Sequence, residues 1–64
     1  MLINGEEKTL HQPTTLTKLL TQLGYRPLLV AVELNGAIIK QTAFSTTKIT
    51  DVDKLEIVSF VGGG

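Results

Sequence analysis

Thr15-Leu16-Thr17-Lys18-Leu19-Leu20-Thr21-Gln22-Leu23-Gly24 is the stretch on which the fold turns. Leu16, Leu19, Leu20 and Leu23 fall at i, i+3, i+4 and i+7, which is one stripe of an α-helix. Thr17, Lys18, Thr21 and Gln22 take the opposite face. Thr15 is placed to cap the first turn, since its hydroxyl can accept from an unpaired helical N–H. Gly24 sits where a left-handed residue closes a helix, and Pro27 lies three residues beyond it. The spacing predicts a helix over 15–23. Its leucine stripe must be covered, and the one large partner available is a sheet.

Strand signals flank this helix on both sides. Upstream, Met1-Leu2-Ile3 runs into Asn4-Gly5 and Glu6 to Leu10 returns. Asn-Gly tolerates the two positive φ angles of a type I′ turn, so a hairpin is predicted over 1–11. Pro13 ends it, because proline cannot donate to a ladder. Downstream, Leu28 to Leu34 is rich in β-branched and aliphatic residues, Asn35-Gly36 is a second hairpin signal, and Ala37 to Lys40 returns. Gln41 to Thr50 reads as polar and irregular, with Phe44 as its one large apolar residue, expected to pin the loop to the core. Asp51-Val52-Asp53 makes a turn, Lys54 to Val61 forms the last strand, and Gly62-Gly63-Gly64 ends the chain.

The predicted order is β-β-α-β-β-(loop)-β. The class is α+β: a mixed sheet with one main helix packed on one face. The first and last strands run parallel in its middle, which a helical crossover permits. This is the order of the ubiquitin-like β-grasp. One domain is expected over 1–61, followed by a flexible glycine tail over 62–64.

Composition narrows the chemistry. A single core in a chain of 64 residues leaves a margin of roughly 3–5 kcal/mol. There is no cysteine, hence no disulfide and no thiolate metal site. Six basic and six acidic residues cancel, so the basic footprint of a nucleic-acid binder is missing. The longest apolar run, Leu28 to Val32, is far short of the about 20 residues that span a bilayer. Met1-Leu2-Ile3-Asn4-Gly5 has no basic region, so no signal peptide is read and a cytoplasmic chain is expected. His11, the one histidine, reads as a solvated surface residue. Ser45 and Ser59 are the only serines, and neither lies in a nucleophile elbow. Asp51 and Asp53 read as turn formers. Neither a metal nor a cofactor of its own is expected.

The chemistry is expected at the end of the chain. Gly62, Gly63 and Gly64 carry no side chain and much backbone entropy. Such an arm can thread a channel that would reject a Cβ and present a carboxylate, ionised at neutral pH, in a partner's buried site. The bland alternative is a frayed terminus. On the last strand, Leu55 and Ile57 facing the helix would leave Glu56, Val58 and Phe60 outward. Val58, Phe60 and Val61 then form a candidate docking patch beside the tail.

Lys54-Leu55-Glu56-Ile57-Val58-Ser59-Phe60-Val61-Gly62-Gly63-Gly64 closely resembles the ending of the ThiS sulfur carriers of thiamin biosynthesis. Ile3-Asn4-Gly5-Glu6 resembles their opening, Val30-Ala31-Val32-Glu33-Leu34-Asn35-Gly36 their middle hairpin, and Leu19-Leu20 with Leu23-Gly24 their helix. The resemblance covers essentially the whole chain. It implies a carrier that is not itself an enzyme. An E1-like adenylyltransferase would use ATP and Mg to adenylate the carboxylate of Gly64. A sulfur donor fed by a cysteine desulfurase would leave a thiocarboxylate there, and thiazole synthase would accept the sulfur. Three departures are visible. Asp51-Val52-Asp53 stands where the family often has Asp-Gly-Asp, Phe44 where tryptophan is common, and Lys18 where a capping-box acid is expected. None touches the tail. Open alternatives are a sulfur carrier for molybdopterin synthesis, a ubiquitin-like protein modifier that forms isopeptide bonds, and a β-grasp interaction module with an inert tail.

Overall fold

Thr15 starts the helix as its side chain suggests. The computed structural model describes residues 1–60. In it helix α1 spans Leu16–Gln22, and the Thr15 hydroxyl accepts from the Lys18 N–H at 3.3 Å. Gly24, at φ +88°, closes it. The Tyr25 N–H returns to the Leu20 carbonyl and the Gly24 N–H to the Thr21 carbonyl, the paired bonds of a Schellman end. Seven residues are too few for a stable isolated helix. Leu16, Leu19 and Leu20 are buried, and each contributes about 1.5–3 kcal/mol, more than any propensity difference along the helix. Packing therefore holds it.

Seven strands are formed by the described residues: β1 (Leu2–Ile3), β2 (Glu6–Glu7), β3 (Thr14–Thr15), β4 (Val30–Leu34), β5 (Ala37–Ile39), β6 (Lys48–Ile49) and β7 (Lys54–Ser59). Five make the main sheet in the order β2-β1-β7-β4-β5. β1 and β7 are parallel at its centre, and the other pairings are antiparallel. Both Asn-Gly turns have the expected signs, with φ +51° and +84° at Asn4 and Gly5 and +51° and +87° at Asn35 and Gly36. Helix α1 covers one face of this sheet. Its leucines meet Ile3, Val30, Val32, Leu55 and Ile57, with Phe44 and Ile49 closing the core from the side.

Three segments differ from the sequence expectation. The strand predicted from Leu28 begins at Val30, because Pro27–Leu29 forms a 3₁₀ turn with the Leu29 N–H on the Arg26 carbonyl. Proline's fixed φ suits a first helical position. The returning strand of the first hairpin is regular only over Glu6–Glu7. The segment 41–50 is not irregular. It holds a 3₁₀ turn over Gln41–Ala43 and strand β6, which pairs antiparallel with β3 as a separate two-stranded sheet. Phe44 is buried as expected, but Ile49 is buried beside it with no exposed surface, a second apolar anchor. Thr14 and Thr15, extended on the approach to the helix, supply the backbone that β6 needs.

Candidate functional site

Strand β7 carries the chain from the core toward the glycines. It lies between β1 and β4, so both of its backbone edges are paired. Alternation places Leu55 and Ile57 under the helix and Glu56, Val58 and Phe60 on the open face. The pairing does not stop at Ser59: the Phe60 N–H donates to the Leu29 carbonyl at 2.8 Å. Backbone order thus extends through the last described residue. Val61, Gly62, Gly63 and Gly64, named as patch and tail, lie outside the described residues.

The open face gathers side chains from three strands. Ala31 stands opposite Val58, Glu33 opposite Glu56, and Ile38 opposite Glu33. Val58 is 63% exposed, Phe60 64% and Ile38 78%. Single exposed apolar residues are ordinary, whereas several on one face mark a contact surface. Between them lies a shallow depression of about 130 Å³ lined by Ala31, Val32, Glu33, Ile38, Glu56 and Val58. The sequence reading placed Val58 and Phe60 here and missed Ala31, Glu33 and Ile38. Period-two alternation from Val30 and Val32 could have put Ala31 and Glu33 on this face. Pairing partners across strands, however, are not written in one strand's pattern.

The other polar candidates are occupied structurally. The Asp51 carboxylate accepts from the Leu10 N–H at 2.8 Å and from the Met1 ammonium at 3.1 Å. These two contacts, the backbone bond foremost, hold its pKa below the usual carboxylate value. Asp53 accepts from the Asn35 amide at 3.0 Å and the Thr50 N–H at 2.7 Å, and its pKa is lowered by them in that order. Asp53 closes its turn on Thr50, as expected, whereas the Asp51 carboxylate in the same turn ties it to the first hairpin. His11 is exposed. Among the described residues no group of three His, Cys, Asp or Glu is placed to hold a metal ion. No described helix is long and apolar enough to cross a membrane. Among the described residues the arrangement presents a surface.

Comparison with known proteins agrees with this geometry. The ThiS family model matches residues 1–64. The crystal structure of the thiamine biosynthesis protein ThiS from Geobacter metallireducens superposes with a TM-score of 0.82 at 35% identity, covering 98% of this chain and 96% of that one. Its fold confirms the β-grasp. A thiazole synthase of Paramagnetospirillum magneticum is 42% identical over 64 residues, which is all of this chain and 20% of that protein. The chain thus spans about a fifth of the length of that relative. The ycf40 protein of Pyropia yezoensis is 44% identical over 62 residues, 97% of this chain and 87% of that protein.

Proposed function

The chain belongs to the ThiS family, the sulfur carriers of thiamin biosynthesis, and from that premise we propose that the carboxylate of Gly64 is the group that carries the sulfur. The observation that carries this reading is the extent of the family match, which runs from Met1 through Gly64 and takes in the glycine end. A carboxylate is a poor electrophile. Attack of its oxygen on the α-phosphorus of ATP expels pyrophosphate and gives an acyl-adenylate with a good leaving group. The outer sulfur of a cysteine persulfide on the donor then attacks the Gly64 carbonyl carbon and AMP departs. A reducing thiol attacks the inner sulfur of that acyl disulfide, forming a disulfide with the donor cysteine and releasing the thiocarboxylate. Its soft sulfur is nucleophilic without a side-chain base.

The described residues hold no catalytic constellation, so an E1-like adenylyltransferase supplies ATP and Mg, and a cysteine desulfurase supplies sulfur. The chain is their co-substrate, in the cytoplasm. Thiazole synthase is the proposed acceptor. In Paramagnetospirillum magneticum a protein of that name contains a segment like this chain. Joining two units in one polypeptide raises the effective concentration of one for the other, which suits units that act together.

The test is an intact-mass measurement after incubation with the adenylyltransferase, Mg-ATP and a sulfur donor. The expected product is heavier by the difference between sulfur and oxygen. Deleting Gly64 abolishes that gain and leaves the urea transition in place, because the core is closed by Ile57. No gain in the full chain, or a gain in the deletion variant, overturns the reading. Adducts of much higher mass on lysines indicate a protein modifier instead.

A further inference from the structure

Strand β5 stops at Ile39, and the chain leaves the sheet through Lys40 into the 3₁₀ turn of Gln41–Ala43. The β4–β5 register pairs Val32 with Ile39, so its continuation sets Gln41 opposite Val30. There the Gln41 side chain replaces the departing strand. Its Nε2 donates to the Leu28 carbonyl at 3.1 Å, to the Val30 carbonyl at 3.3 Å and to the Pro27 carbonyl at 3.5 Å. The amide has two protons, so the three acceptors share them. The end of β7 holds the same segment from its other side. Val30 pairs with Ser59, and the Phe60 N–H donates to the Leu29 carbonyl at 2.8 Å.

Little else fixes this segment. None of Pro27, Leu28 and Leu29 is buried, and Leu28 is 77% exposed. Within the turn one backbone bond, from the Leu29 N–H to the Arg26 carbonyl, closes the chain. Gln41 itself is anchored: its carbonyl accepts from the Phe44 N–H at 3.1 Å, and Phe44 is buried in the core. A path of contacts thus runs from the core through Phe44 and Gln41 to the Pro27–Leu29 turn, and from the Leu29 carbonyl to Phe60. We propose that Gln41 is a positioning residue for the sulfur-carrying reaction, which holds that turn so that Leu29 fixes Phe60, the point from which the chain runs on to Gly64. The role rests on the Gly64 reading given above. A Phe60 released from its rung shifts the origin of the last four residues by up to about 3.3–3.6 Å, the reach of one residue. Misplacement of a reacting group by about 1 Å can cost about a hundredfold in rate.

The experiment compares the full-length chain with Gln41→Met, Gln41→Arg and Ile49→Val. Methionine is as long as glutamine and has no donor, and arginine restores donors. Ile49→Val lowers stability in the core without removing the Gln41 amide. NMR reads hydrogen exchange at the Phe60 amide. Single-turnover pyrophosphate release by the adenylyltransferase with Mg-ATP gives the maximal rate and the half-saturating carrier concentration. Gln41→Met is expected to keep a cooperative urea transition, since the residue is exposed. Its Phe60 protection is expected to fall by roughly three- to tenfold, the worth of one hydrogen bond. The maximal rate is expected to fall by roughly the same factor with half-saturation within about twofold, the pattern of an interaction that matters in the transition state. Gln41→Arg is expected to recover both, and Ile49→Val to leave both at the parent level. Unchanged Phe60 exchange or an unchanged maximal rate in Gln41→Met overturns the proposal. So does an arginine variant no better than the methionine one, or an equal loss of rate in Ile49→Val, which would make the effect one of stability. A rise in half-saturation at constant maximal rate also overturns it, because Gln41 would then be a direct contact of the enzyme. A parent that releases pyrophosphate while Gln41→Met matches it refutes the positioning role alone. A parent that releases none refutes the Gly64 reading, and the Phe60 exchange of Gln41→Met still decides whether Gln41 holds the rung.

Discussion

Asn4 and Ile57 exchange two hydrogen bonds. The Ile57 N–H donates to Asn4 Oδ1 at 2.7 Å, and Asn4 Nδ2 donates to the Ile57 carbonyl at 3.1 Å. The Asn4 N–H also donates to the Leu55 carbonyl at 2.9 Å. At Asn4 the backbone of the first hairpin turns away from β7, and its side-chain amide takes the place of the departing peptide group. The parallel pairing is thereby extended one rung. Asn35 does the same from the other hairpin. Its N–H donates to the Lys54 carbonyl at 2.8 Å, and its Oδ1 accepts from the Lys54 N–H at 2.9 Å. Two turn asparagines thus grip the central strand from both sides.

Asn4→Ala is expected to destabilise the chain by about 2–4 kcal/mol. It strands the partly buried polar groups of Ile57 and forces alanine into a left-handed turn position. Asn4→Gly suits the φ of +51° and loses only the side-chain bonds, so about 1–2 kcal/mol is expected. Urea midpoints measure both. An Asn4→Gly variant within about 0.5 kcal/mol of the parent would show that the bonds to Ile57 contribute nothing beyond what water restores.

These asparagines show what the sequence could and could not disclose. Asn4-Gly5 and Asn35-Gly36 are legible as turns, because few other dipeptides tolerate two positive φ angles. Their grip on β7 depends on a strand about 50 and about 20 positions away, which no local pattern encodes. The helix was legible because its period, cap and terminal glycine agree. β6 was not: two residues in a polar segment carry no periodicity, and their pairing with Thr14-Thr15 is a tertiary fact. On the site, the outward register of Val58 and Phe60 followed from alternation along one strand. The Glu33–Glu56 pairing required knowing which strands are neighbours and in what register.

Ile49→Ala tests the anchor that the polar segment conceals. Ile49 is fully buried in the core cluster with Phe44, and truncating such a residue costs about 2–5 kcal/mol. That loss is comparable to the whole margin of a domain this small, roughly 3–5 kcal/mol. The variant is expected to be largely unfolded near 37 °C by circular dichroism. Ile49→Val should remain folded with a loss of about 0.5–1.5 kcal/mol. A cooperative melt for Ile49→Ala near the parent's would show that the 41–50 segment packs more loosely than its burial indicates.

Acid sensitivity should map to two aspartates. Both folded pKa values are lowered, Asp51 first by the Leu10 N–H and then by the Met1 ammonium, Asp53 first by the Asn35 amide and then by the Thr50 N–H. A carboxylate that is more acidic when folded binds fewer protons in the native than in the unfolded state. Its stabilisation is complete above the unfolded value, about 3.9, and is lost as pH falls through the folded value. The contribution of these groups to the melting temperature is therefore flat from pH 7 to about 5 and declines below about 4. Asp51→Asn and Asp53→Asn should each shallow that decline. The effect per group should be small, because both sites are open to solvent screening. An acid limb of equal slope in both variants would place the acid-sensitive groups elsewhere.

Val52 stands where the resemblance leads one to expect glycine, and the natural inference is that a glycine there would relax a strained turn. The backbone says otherwise. The positive-φ residues other than glycine are Asn4 and Asn35 alone among the described positions, so Val52 holds an angle that any L-residue adopts. The turn is closed by the Asp53 N–H on the Thr50 carbonyl and the Thr50 N–H on the Asp53 carboxylate, neither of which involves Val52. Its side chain is 90% exposed, so little packing is at stake. What remains is the unfolded state, in which glycine samples more conformations than valine and loses more on folding. Val52→Gly is therefore expected to destabilise by about 0.5–1 kcal/mol, read as a fall in the urea midpoint at unchanged slope. A rise in the midpoint would mean that the turn prefers the left-handed region and that Val52 carries strain its dihedral does not reveal.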